Sequence, residues 1–275
     1  MATILSPIDK RLSRFIRMRS DGDLDCLVVA HRGHPQFPEN STEGLKHALH
    51  RGAHGVEFDV VMRRDGTPVV GHDLPADPGL PTLQQVLGEL GGHAQVIYVH
   101  YKRANEADPR SNDHPYVVAN AIRQANLTET AVVMIESGNV TRWRQVAGDL
   151  NVLQCWTGPL PQPTRFPPSH ATRYGLQHLG VYHHPSQLSR PGRWLAQVGF
   201  RRLGAWLGLA PVGRMVGRHS DRSWVAFTLN DPFLMRLYMA AGFDAIGTDD
   251  PETILEMLPS GSGSRAREPD MEDPT

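Results

Sequence analysis

Gly52-Ala53-His54-Gly55-Val56-Glu57-Phe58-Asp59-Val60-Val61 is the stretch on which the fold turns. Apolar residues and carboxylates alternate from Val56 to Val60, and residues two apart on a strand face the same way, so Glu57 and Asp59 project together. Two carboxylates held side by side repel, and a hard cation that accepts their oxygens removes that cost. Working outward, Leu27-Val28-Val29-Ala30 runs into His31-Arg32-Gly33, and Pro68-Val69-Val70-Gly71 runs into His72-Asp73. Both histidines stand where a strand should stop. Cleavage of a phosphodiester needs one proton taken from the attacking oxygen and another given to the leaving one, work suited to two imidazoles that titrate near neutrality. Asn40, with Glu43 three residues on, has two readings of equal weight: the N-cap of a first helix in a capping box, or a residue of the site.

The rest of the chain repeats the strand-then-helix rhythm. Strand-like apolar runs fall at 27–30, 56–61, 96–101, 131–135, 152–155, 179–182, 224–228 and 245–247. Helix patterns fall at 42–51, 82–90, 116–125, 140–148, 193–207, 232–241 and 251–258. Eight strands separated by helices predict an α/β fold of the (β/α)8 TIM-barrel type, in which active sites gather at the C-terminal ends of the strands. His31, Glu57, Asp59 and His72 all fall at such ends. A length of 275 residues with 40% apolar content suits one large domain over 27–258. Residues 1–26 read as a helical extension, and 259–275, Ser/Gly-rich and then acidic, as a disordered tail. A net charge of −1 gives no electrostatic reason to expect nucleic acid. The apolar runs are shorter than the roughly 20 residues of a membrane span. Cys26 and Cys155 lack metal-type spacing and read as buried thiols, which makes the cytoplasm the expected location. Over 193–218, Trp194, Leu195, Val198 and Trp206 interleave with Arg193, Arg201, Arg202 and Arg214. The plain reading is an outer barrel helix with a solvated basic face, and the sharper one a peripheral contact with anionic lipid.

Taken in order, His31-Arg32-Gly33, Pro38-Glu39-Asn40-Ser41, Gly52 to Val60, Asp65-Gly66 and His72-Asp73 resemble the glycerophosphodiester phosphodiesterase family of the PLC-like phosphodiesterase superfamily. The resemblance resumes at Thr228-Leu229-Asn230-Asp231 and at Gly247-Thr248-Asp249-Asp250-Pro251-Glu252, with little between 104 and 224. It implies metal-assisted hydrolysis of a glycerophosphodiester or lysophospholipid to a phosphomonoester and an alcohol. On that pattern His31 and His72 serve as acid and base, while Arg32, Lys102 and Asn40 bind substrate. The divalent cation, Mg²⁺ or Ca²⁺ in the family, falls to Glu57, Asp59 and the third-strand position.

That position departs from the pattern. The family's E-x-K is here His100-Tyr101-Lys102. A neutral nitrogen in place of an anionic oxygen weakens the preference for Mg²⁺ or Ca²⁺ and favours Mn²⁺ or Zn²⁺. A second departure follows His72-Asp73, where the chain passes through 74–80 to Pro81-Thr82-Leu83 without the family's substrate-covering insertion, which makes this a short variant. The competing reading is a degenerate barrel that binds a phosphorylated ligand or a protein partner without turnover.

Overall fold

The computed structural model describes residues 26–73, 79–102, 113–135, 140–147, 149–156, 172–177, 224–241 and 243–257. Nine strands form one sheet: β1 (Leu27–His31), β2 (Gly55–Met62), β3 (Pro68–Val70), β4 (Val96–Tyr101), β5 (Ala131–Ile135), β6 (Asn151–Trp156), β7 (Thr172–Gln177), β8 (Trp224–Phe227) and β9 (Ala245–Thr248). Their order is β1-β9-β8-β7-β6-β5-β4-β2-β3, with β1 also paired to β2, so the sheet closes on itself. The closed ring is parallel throughout, and β3 folds back antiparallel on the far end of β2. Closure removes sheet edges and leaves two separate apolar layers. Val29, Tyr98, Met134, Leu153, Val225 and Phe227 pack inside the ring. The alternate residues Ala30, Val56, Phe58, Val60 and Val99 face the surrounding helices and meet Leu45, Leu87 and Ile122.

Those helices are α1 (Thr42–His50), α2 (Leu83–Leu90), α3 (His114–Gln124), α4 (Val140–Val146), α5 (Pro232–Ala241) and α6 (Pro251–Met257). α1 begins at Ser41, whose hydroxyl accepts from the Gly44 N–H. The N-cap is therefore Ser41 and not Asn40, because Asn40 sits at φ 61° with its side chain turned to β2. α2 starts with a complete capping box between Thr82 and Gln85. No described helix is long and apolar enough to cross a membrane.

The eight-strand barrel read from the sequence is borne out, with one strand misplaced. The sixth ring strand is Thr172–Gln177, aligned between β6 and β8, whereas the apolar run at 179–182 lies outside the described residues. The helical extension at 1–25, the segment 74–78, the basic stretch at 193–218 and the tail at 259–275 also lie outside them. Cys26 and Cys155 are free and buried, as expected.

Strand packing around the site leaves little room. A Cβ on Gly55 would overlap the Val96 carbonyl across the β2–β4 pair, whereas one on Gly88, in α2, would meet nothing within 4 Å. Gly55→Ala should therefore lower stability by about 1–3 kcal/mol. Gly88→Ala should raise it by up to about 1 kcal/mol, since alanine orders more cheaply in a helix. Chemical denaturation of the two variants checks the pair, and equal effects would contradict this packing.

Candidate active site

The inward face of β1, β2 and β4 carries the functional residues in direct register: His31 pairs with Glu57, and Asp59 with His100. All four reach the C-terminal half of the ring. Glu57, Asp59 and His100 are 1%, 0% and 1% exposed. Burying two carboxylates costs several kcal/mol apiece unless cations compensate them. Compensation comes from three sides. The His100 Nδ1 lies 3.3 Å from both Glu57 Oε1 and Asp59 Oδ1. Lys102 Nζ stands 2.9 Å from Asp59 Oδ1, and Arg32 Nε 2.9 Å from Asp59 Oδ2. Burial alone would raise the Asp59 pKa, but the His100 hydrogen bond, Lys102 and Arg32 hold it well below the usual carboxylate range. On His100, burial works against the charge, yet Asp59, the Cys155 thiol and Glu57 together hold the imidazole well above its ordinary value.

The loop after β1 is shaped for this purpose. Arg32 adopts φ 58° and Gly33 φ 97°. A side chain at Gly33 would also press on the α1 backbone at Gly44. The left-handed turn costs Arg32 on the order of 1 kcal/mol, and it persists because the Arg32 N–H donates to the Glu57 carbonyl while its guanidinium spans Asp59 and Glu39. Asn40, also left-handed, clamps β2: its Oδ1 accepts from the Asp59 N–H at 2.9 Å and its Nδ2 donates to Asp59 Oδ2 at 3.3 Å. Asn40 thus positions a carboxylate in this structure.

Glu57 Oε1 and Asp59 Oδ1 remain without an aligned hydrogen-bond donor. One ligand atom each from Glu57, Asp59 and His100 lies within 4.8 Å of the others, so the donor set fits a divalent cation.

Two residues to which sequence reasoning gave no role complete the site. Asp249 follows β9, the strand beside β1, and its Oδ1 meets His31 Nδ1 at 2.6 Å. Asn230, after β8, donates from Nδ2 to Asp249 Oδ2 at 2.6 Å, and its Oδ1 accepts from Thr248 and from the Asp249 N–H. The signal was present in Asn230 and Thr248-Asp249 at strand ends, but only ring closure sets them against His31. His31 Nε2, the opposite edge of the ring, faces Glu57 Oε2 at 3.8 Å. His72 stands at the rim: the preceding Gly71 N–H donates to the Asp59 carbonyl, while its own imidazole is 45% exposed and bonds to Asp73 at 2.7 Å.

In closed (β/α)8 barrels active sites lie at the C-terminal mouth, where His31, Glu57, Asp59 and His100 gather in this chain. Residues 31–78 match the model of the Glycerophosphoryl diester phosphodiesterase family. Glycerophosphodiester phosphodiesterases from Caldanaerobacter subterraneus and Bacillus altitudinis are 46% identical over 55 residues and 47% over 47 residues. The matches cover 20% and 17% of this chain, and only 23% and 19% of those relatives' own lengths. The fold carries further. A glycerophosphodiester phosphodiesterase from Parabacteroides distasonis superposes with a TM-score of 0.61 at 20% identity, covering 86% of this chain and 98% of that one. An Oleispira antarctica phosphodiesterase, solved with the product sn-glycerol-3-phosphate, gives 0.55 at 16% identity, covering 86% and 97%.

The Asp249–His31 contact sets a pH window. Burial opposes the charge on His31, but Asp249 and Glu57 raise its pKa above 6.5; burial likewise opposes the charge on Asp249, while His31 and Asn230 lower its pKa below 3.8. The pair therefore stabilises the fold fully between those two values, fading as pH rises through the His31 folded pKa or falls through that of Asp249. Asp249→Asn should lower the His31 titration midpoint and cost most stability inside that window. NMR titration of the His31 ring protons checks this, and an unmoved midpoint would contradict it.

Proposed function

We propose that this chain is a metal-assisted phosphoric diester hydrolase acting on glycerophosphodiesters or lysophospholipids. The reading is supported most by the buried Glu57, Asp59 and His100 trio, one ligand atom of each lying within 4.8 Å of the others, beside two side chains suited to phosphate. When bound there, the cation would neutralise charge building on the phosphoryl group and acidify the attacking oxygen.

This chain's own residues supply the rest. Arg32 and Lys102, 21% and 18% exposed, share Asp59, and their charges would draw the phosphate oxygens of a substrate there. With Nδ1 committed to Asp249, His31 holds or releases a proton at Nε2, the edge on the carboxylate side. His72, on the exposed rim, would serve the oxygen on the other side of the scissile bond. Asn40 and Asn230 keep Asp59 and Asp249 from turning away. A phosphomonoester such as the sn-glycerol-3-phosphate held by the Oleispira protein would be the product. Nitrogen at His100 favours Mn²⁺ or Zn²⁺ over Mg²⁺ and Ca²⁺. Two free buried thiols suit a reducing compartment, and we place the protein in the cytoplasm.

Release of glycerol phosphate or of the free alcohol from glycerophosphodiesters and lysophospholipids, measured across Mg²⁺, Ca²⁺, Mn²⁺ and Zn²⁺ with chelator controls, tests this. Turnover should require a cation and fall by roughly 10² to 10⁴ in His31→Ala. Asp59→Asn should abolish both turnover and the rise in Tm that the cation gives wild type. A cation that stabilises wild type without turnover on either substrate would favour the binding-only reading.

A further inference from the structure

The phosphate half of the proposed site depends on where one guanidinium points, and the chain holds that group from outside the cation site. Arg32 Nε stands 2.9 Å from Asp59 Oδ2 but without an aligned hydrogen bond, so Asp59 supplies attraction and little direction. Direction comes from Glu39, to whose Oε2 the Arg32 Nη1 donates at 2.7 Å.

An ion pair with a carboxylate as exposed as Glu39, 70%, ordinarily contributes little, because two long side chains must give up their freedom to meet. Here the backbone is already committed. The Ser41 N–H donates to the Pro38 carbonyl at 3.1 Å, closing a turn over Glu39 and Asn40, and the Asn40 N–H donates to the Arg32 carbonyl at 2.9 Å. Asn40 is buried, and its side chain holds Asp59 twice, through Oδ1 and Nδ2. Two adjacent residues thus grip the two members of one ion pair, Glu39 taking Arg32 and Asn40 taking Asp59.

We propose that Glu39 is a positioning residue for phosphate binding: tethered to Arg32 Nη1, it fixes the plane of the guanidinium so that the remaining N–H donors meet phosphate oxygens in one orientation. This rests on the phosphodiester reading above. A guanidinium carries its N–H groups in a rigid planar fork that matches phosphate oxygens in pairs, so its worth to an anion depends on that plane being set beforehand. A fork that swings must be ordered at the moment of binding, and the ordering is subtracted from affinity. Charge acts the other way. A carboxylate beside a phosphate site repels the anion, so removal of Glu39 would tighten phosphate binding were the side chain a mere neighbour. The two roles predict shifts of opposite sign.

The test follows the Arg32 side-chain ¹H–¹⁵N signals of the full chain, loaded with an equimolar amount of Zn²⁺, as inorganic phosphate is added, with Glu39→Ala and Glu39→Gln beside wild type. Glutamine keeps an oxygen that accepts from Arg32 and removes the charge; alanine removes both. Phosphate should bind Glu39→Ala roughly three- to tenfold more weakly than wild type, and Glu39→Gln within about twofold of it. Before phosphate is added, wild type and Glu39→Gln should give separate Nη1 and Nη2 signals for Arg32 and Glu39→Ala merged ones, a signature that a packing role would not move. Melting curves confirm that both variants fold. Unchanged or tighter phosphate binding by Glu39→Ala would overturn the proposal, as would weaker binding with the two signals still resolved. A wild type in which phosphate leaves the Arg32 signals unshifted would sink the phosphodiester reading and this proposal together, a pattern distinct from a phosphate-binding wild type matched by Glu39→Ala.

Discussion

Two carboxylates with essentially no solvent contact, Glu57 and Asp59, sit inside a parallel barrel, and their charge must be answered locally. In a medium of low dielectric neither can remain ionised without partners. Asp59 alone collects Arg32, Lys102, His100 and Asn40. Each of those contacts imposes something on the chain. Arg32 accepts a left-handed backbone to reach it, Asn40 does the same, and Gly33 must be glycine for the turn to lie against α1. The loop between β1 and α1 is built around one buried charge.

The same need explains why this site suits a cation. Three positive side chains converge on Asp59, yet Glu57 Oε1 and Asp59 Oδ1 still lack an aligned donor. A protein that required only neutrality would replace such groups with apolar ones of similar volume at little cost or at a gain. The proposed cation and phosphate site rests on these charged groups standing beside Arg32 and Lys102. His31 belongs to the same logic, since Asp249 and Glu57 approach its two edges and keep it able to carry a proton near neutral pH.

Much of this was legible in the sequence, for physical reasons that also explain the failures. Strands buried on both faces read as apolar runs, so β1, β2, β4, β5, β6, β8 and β9 fell where apolar residues follow one another. β7, Thr-Arg-Tyr-Gly-Leu-Gln, has no such run, and it is placed through pairing with β6 and β8. The period-two rule put Glu57 and Asp59 together, and the resemblance to the family's third-strand E-x-K put His100 beside them. Asn40 was ambiguous because asparagine both caps helices and serves in polar sites, and only the observed turn hands the cap to Ser41. Asp249 lies 218 residues from His31, a contact made by closure of the ring and invisible to any local pattern.

The central claim is that His100 takes the place of a carboxylate as a cation ligand. Electron spin-echo modulation on the Mn²⁺-loaded chain reads it directly, because a ligating imidazole imprints ¹⁴N frequencies on the ion. The account predicts those frequencies in wild type and their disappearance in His100→Gln while Mn²⁺ still binds through Glu57 and Asp59. Mn²⁺ bound without nitrogen modulation in wild type, or modulation that survives in His100→Gln, would contradict it.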